Sequence, residues 1–216
     1  HVGVDAVSFR WRDREVNVDA GGSFAVMNAL LALEVVAALG VPVVDAARAA
    51  RGIRPVSGRF ETVPGTDGYS VIVDYAHTPE ALRTVLNSVR ELTTGRVIVV
   101  FGCGGDRDTG KRAEMGRVVE ELADAAFVTS DNPRTEDPEV IIAEVLSGMT
   151  GGNCDVVSIV DRAVAIESAI STAGSADIVV IAGKGHEPYQ EIAGEFLAFS
   201  DVEVARDAVT RRSGSR

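Results

Sequence analysis

The sequence is short of cysteine, of surplus positive charge and of long apolar runs, and each shortage excludes a class of protein. Two cysteines, Cys103 and Cys154, in 216 residues make no disulfide framework. A reducing cytoplasm is the compartment expected of such a chain. The formal net charge is −11. Binders of duplex nucleic acid neutralise phosphates with basic patches, so no nucleic-acid partner is expected. A single nucleotide, which one loop can hold, remains possible. No apolar run approaches the ~20 residues a bilayer span needs, and no signal peptide is present, so no membrane partner is expected. An initiator methionine is also missing: the chain starts at His1. The reading is therefore of a fragment, in which absent motifs lie upstream.

What remains suits a packed core. Hydrophobic residues make up 46% of the chain, too many for disorder. The length predicts one large domain or two small ones. Two alternating runs, "VDAVSFRW" and "REVNVDA", read as a β-hairpin. "GGSFAVMNALLALEVVAALG" reads as a helix with Ser23 as cap and Gly40 with Pro42 as stop. A second short helix starts near Asp45. The Gly- and Pro-rich stretch 52–68 links into a new unit, with a short strand in "RFETV". From Ser70 onward strands and helices alternate, and most strands are continuous apolar runs, as in sheet buried on both faces. "KGHEPYQEIAGEF" reads as a loop before a last helix, "DVEVARDAVTRR". The fold class expected is α/β, a Rossmann-like, doubly wound, mostly parallel sheet.

Ligands of such sheets sit beyond the carboxyl ends of the strands. Four of those ends carry unusual chemistry: "DYAHTPE", "GCGGDRDTGKR", "SDNPRTED" and "AGKGHEPY". In the first, Asp74 is either a turn residue or an acceptor for ribose hydroxyls, with His77 beside it. In the second, glycines 102, 104 and 105 let backbone approach a ligand. It is no phosphate loop, because Arg112 follows Lys111 where Ser or Thr is required. Arg107 either pairs locally with Asp106 and Asp108 or is held by them to offer its fork to a carboxylate. In the third, Pro133 stiffens the loop that carries Asn132 and Arg134. Arg matches a carboxylate bidentately, and Asn can both donate and accept, so an amino acid suits the pair. In the fourth, an HExxH metal motif fails at Gln190, and Glu187 reads as an acceptor for an ammonium.

As a set, "GRFE", "DYAHTPEAL", "VFGCGGDRDTGKR", "TSDNPRTEDP", "AGKGHEPYQ" and "FSD" closely resemble the Mur ligases of peptidoglycan synthesis, and within them the UDP-N-acetylmuramoyl-tripeptide synthetase branch. The resemblance runs from Asn28 to near the end of the chain. It implies that 1–57 is the end of a central ATPase domain and 58–216 an amino-acid-binding domain. It implies a reaction as well. ATP phosphorylates the carboxylate of UDP-N-acetylmuramoyl-L-alanyl-D-glutamate, and the amine of meso-diaminopimelate attacks the acyl phosphate. An amide, ADP and phosphate result. The site residues implied for diaminopimelate are Arg107, Asp131, Asn132, Arg134, Gly183 and Glu187. Those implied for ATP are Asn28, Arg59, Asp74 and His77. The DNPR motif marks enzymes that add meso-diaminopimelate rather than L-lysine. Two departures stand out. The family's phosphate loop, Mg²⁺ ligands and carbamylated lysine are absent and are expected upstream, so the chain alone is expected not to turn over. In "GGSFAVMN", Ala25 stands where the family has its first Asn. The partners implied are the UDP-linked dipeptide, the diamino acid and ATP, acting on a monomer. The alternatives are a Mur-type ligase adding L-lysine or another group, and a non-catalytic Rossmann-like binding module.

Overall fold

A computed structural model describes residues 1–214, in two compact units, His1–Val56 and Ser57–Arg216. In the first, β1 (Val7–Trp11) and β2 (Arg14–Val18) pair antiparallel. Arg12 and Asp13 both take positive φ in the tight turn between them. Helices α1 (Ser23–Ala38) and α2 (Val43–Ala49) complete a small core around Val7, Trp11, Val16, Ala29 and Leu33. Ser23 is not the cap expected of it. The cap position is Gly22, which has no side chain to offer. The opposite stripe of α1 is apolar too, with Met27, Leu31, Val35 and Leu39 between 51% and 80% exposed.

The second unit is a six-stranded sheet in the order β3-β4-β8-β5-β6-β7. Its strands are β3 (Glu61–Thr62), β4 (Ser70–Asp74), β5 (Val97–Phe101), β6 (Ala125–Val128), β7 (Asp155–Ser158) and β8 (Ile178–Ala182). All pairings are parallel except β3 with β4. The apolar runs are buried on both faces in β5, β6 and β8. Only β7, at the edge, is exposed along its length. Val71, Val73, Ile98, Val100, Val179 and Ile181 pack on α6 (Arg162–Thr172) and α7 (Asp201–Gly214). The alternate residues face α3 (Pro79–Arg90), α4 (Gly110–Leu122) and α5 (Pro138–Leu146). Because β8 returns to lie between β4 and β5, its outgoing chain turns to one face while theirs turn to the other. That is a topological switch point, where a crevice opens. No helix among the described residues is long and apolar enough to cross a membrane.

One expected loop is structured. Within "KGHEPYQEIAGEF" the chain forms a hairpin of β9 (Tyr189–Ile192) and β10 (Glu195–Ala198). Ala193 and Gly194, both at positive φ, make its two-residue turn.

Candidate functional site

The four chemistry-bearing loops meet at the switch point around a cavity of about 430 Å³. Of the residues read from the sequence, His77, Arg107, Asp131, Asn132, Arg134, Gly183 and Glu187 line it. Tyr75, Lys111 and Tyr189 line it as well and were not anticipated. Asp74 and Arg59 do not line it, and exposed Asn28 belongs to the other unit.

Close backbone approach builds the walls. A Cβ on Gly102 would lie 2.1 Å from the Thr129 carbonyl oxygen, and one on Gly105 2.0 Å from that of Pro133. The β5 and β6 loops touch because both residues are glycine. Arg134 is held at φ +52. Its backbone pairs with β9, donating to Glu191 O (3.0 Å) and accepting from Ala193 N (2.7 Å). Its Nε lies 3.0 Å from Glu191 Oε2, and Nη1 donates to Gly105 O at 2.7 Å. Nη2 makes no hydrogen bond among the described residues, which leaves one edge of the fork for a ligand. Glu191 therefore shares the Arg134 charge.

Asn132 also differs from the sequence reading. It was expected to read the ligand with both ends of its amide. Instead Nδ2 donates to Glu187 Oε2 (2.9 Å), while Oδ1 accepts from Lys184 Nζ (2.8 Å) and Glu191 N (3.0 Å). Lys184 Nζ donates to Glu187 Oε2 as well, at 3.0 Å. Glu187 lines the cavity, and among the described residues its Oε1 has no hydrogen bond. Burial pushes the Glu187 carboxyl up, but the Asn132 and Lys184 bonds and the Lys184 and Arg134 charges together hold it below its ordinary value. Asp131 behaves oppositely. Burial pushes its carboxyl up, against the pull of Arg162 and Lys184. A Cβ on Gly183, at φ +118, would lie 2.6 Å from Asp131 Oδ2.

Arg107 is exposed, and its guanidinium donates to the Asp106 carbonyl at 3.1 Å. The flanking carboxylates do not hold it as expected. Asp106 binds Thr135, and Asp108 caps Gly110 N at 2.9 Å. On the other side, Asp74 is buried, with Oδ2 accepting from Phe60 N and Oδ1 from Ala76 N, each at 2.8 Å. Burial raises its carboxyl despite those bonds and the Arg59 charge. Arg59 stacks over Tyr75 at 4.4 Å, and Tyr75 meets His77 edge-on at 4.6 Å. Lys111 Nζ donates to His77 O at 2.8 Å.

Two buried cations brace the site from beneath. Arg162 pairs with Asp201 (2.7 and 2.8 Å), both fully buried. It also donates to Ser130 O (3.2 Å) and Ala182 O (2.9 Å), the residues just before Asp131 and Gly183. Arg112 joins Glu136, Glu144 and the Gly104 carbonyl. Arg162 opens a helix that reads as plain surface amphipathy, so periodicity gave no sign of it. Asp201 was visible only as part of "FSD".

A doubly wound sheet with a charge-balanced pocket at its switch point defines a ligand-binding α/β domain. Residues 58–185 match the family model described as "Mur ligase, glutamate ligase domain". The chain belongs to the Mur ligase family. It is 44% identical over 211 residues to the UDP-N-acetylmuramoyl-L-alanyl-D-glutamate–2,6-diaminopimelate ligase of Clostridioides difficile (strain 630), covering 96% of this chain and 44% of that protein. It is 48% identical over 194 residues to the ligase of the same name from Xanthomonas campestris pv. campestris (strain 8004), covering 89% and 39%. A solved structure of a ligase of that name superposes with a TM-score of 0.73 at 36% identity, over 98% of this chain and 44% of the other. The chain thus spans less than half the length of the relatives it matches.

Proposed function

We propose that this chain is the amino-acid-accepting part of a ligase that adds meso-diaminopimelate to UDP-N-acetylmuramoyl-L-alanyl-D-glutamate at the expense of ATP. Residues 1–57 are the end of the central ATPase domain and 58–216 the domain that takes the diamino acid. The observation that carries the reading is the free edge of Arg134, set across one cavity from the open oxygen of Glu187. Arg134 and Arg107 take the carboxylate at the far end of the diamino acid. Glu187 Oε1 and the Gly183 backbone take the ammonium beside it. Asn132 and Asp131 set the shape and charge of that end. Fixing the far end orients the near amine for attack on an acyl phosphate, and positioning of this kind supplies much of a ligase's rate. L-Lysine carries the ammonium but no far carboxylate, so it leaves the Nη2 edge of Arg134 desolvated without an acceptor. Asn28, Arg59, Asp74 and His77 are assigned to the nucleotide side. The role of Asp74 is then to shape the loop and offer what remains of its acceptor capacity. Mg²⁺ belongs to the proposed reaction. Among the described residues no group of three His, Cys, Asp or Glu could hold a metal ion. Free Cys103 and Cys154 fit a cytoplasmic enzyme, and we assign it as a monomer.

Calorimetric titration with meso-diaminopimelate and L-lysine tests the reading. Binding of the first, weakened at least roughly tenfold for the second and for Arg134→Ala, is expected. Equal affinity for the two amino acids overturns it.

A further inference from the structure

Only two of the 21 basic residues are lysines, Lys111 and Lys184, and both are at this site. Lys184 is fully buried. The backbone is bent to put it there: Gly183 and Gly185 on either side take φ +118 and +53. A Cβ on Gly185 would lie 2.7 Å from the Gly58 carbonyl oxygen. The ammonium reaches Asn132 Oδ1 and Glu187 Oε2 and lies 5.7 Å from the Tyr189 ring centroid.

We infer that Lys184 is a positioning residue for the ligand's ammonium. With Asn132 it clamps Oε2 of Glu187, so that Oε1 alone is turned into the cavity as a fixed anionic acceptor. The inference deepens the proposed function and rests on it for the identity of the ligand. The clamp also settles a conflict of charge. Glu187 and, from α7, Asp201 both bear on Asp131 of the β6 loop, and Glu191 of β9 lies on Arg134. Facing these acids are Arg134 from the β6 loop and Arg162 from α6. Arg162 is turned to Asp201 and to two carbonyls, and Arg134 is turned to Glu191. Lys184 is the only cation hydrogen-bonded to Glu187 among the described residues. Without it, burial and the neighbouring Asp131 both favour the neutral acid, which binds an ammonium poorly.

The test needs no ligand in its first arm. The Glu187 side-chain carboxyl is followed by ¹³C NMR across pH, with Glu187→Gln assigning the signal. In the parent chain it should titrate below the ordinary carboxylate value, and in Lys184→Met above it. An unchanged titration overturns the inference. In the second arm, Lys184→Met should bind meso-diaminopimelate about tenfold more weakly at neutral pH, the size of a hydrogen bond to a charged group. Its affinity should recover as pH rises and Glu187 ionises. Unchanged affinity and pH profile overturn the inference. A parent chain that binds no diaminopimelate overturns the proposed function instead, and the carboxyl titration still decides the role of Lys184. Should Lys184→Met not fold, ¹⁵N-lysine labelling of the parent chain gives two ammonium signals. The buried one must exchange with water faster in Glu187→Gln, and no change overturns the inference.

Discussion

At the scale of single residues, the site depends on charges that never reach solvent. Arg162 and Asp201 are the clearest case, since among the described residues each is the other's only ion-pair partner. Removing one leaves a buried charge uncompensated. Arg162→Met or Asp201→Asn should cost about 3–5 kcal/mol in urea-unfolding stability. The paired change Arg162→Met with Asp201→Leu should cost less than either, because no charge is then stranded. Glu136 gives a pH signature. The fork of Arg112, helped by the Asp106 N–H, holds its carboxyl at about 2, against an ordinary value of 4.5. A depressed carboxylate contributes stability that is present above 4.5 and lost as pH falls toward about 2. Unfolding measured through that window should show a slope that Glu136→Gln makes shallower. Gly183→Ala should abolish diaminopimelate binding in a calorimeter while leaving far-ultraviolet dichroism intact, since its Cβ would press on Asp131. Part of this was legible in the sequence. Arg134, Glu187 and Gly183 stand in strand-end loops, where residue type and place both point to ligand. Arg162 and Asp201 stand at helix starts, where an Arg or an Asp is ordinary. Asn132 lines the cavity, but the engagement of its amide was not legible, because Lys184 and Glu187 reach it from 52 and 55 residues away.

At the scale of elements, the parallel strands were readable because sheet covered on both faces needs apolar residues in succession, and β5 and β8 are such runs. The hairpin β9–β10 was not readable. Its strands mix polar and apolar residues, and its turn is Ala193–Gly194 rather than Asn-Gly, the pair that signals such a turn. That hairpin nevertheless fixes the DNPR loop, through Glu191 and Ala193 to Arg134 and through Gln190 Nε2 to Asp131 O at 2.7 Å. Ala193 holds φ +51, where Asn is more at ease. Ala193→Asn should raise the melting temperature, by an amount corresponding to about 1 kcal/mol, without weakening ligand binding.

At the scale of the whole molecule, surface of opposite character coexists with a net charge of −11. The stripe of Met27, Leu31, Val35 and Leu39 is the apolar exception. The ligase is assigned as a monomer, but light scattering of this chain by itself should show concentration-dependent association through that stripe, which Leu31→Lys with Leu39→Glu reduces. The Arg162–Asp201 pair also has a consequence in time. Arg162 is made 39 residues before its carboxylate. While the chain is being synthesised, the loops of β6 and β8 rest on a guanidinium that still lacks its counter-charge. The pocket can set only when the segment from Asp201 onward has left the ribosome and folded back. A message broken anywhere before that codon yields a sheet without a finished site.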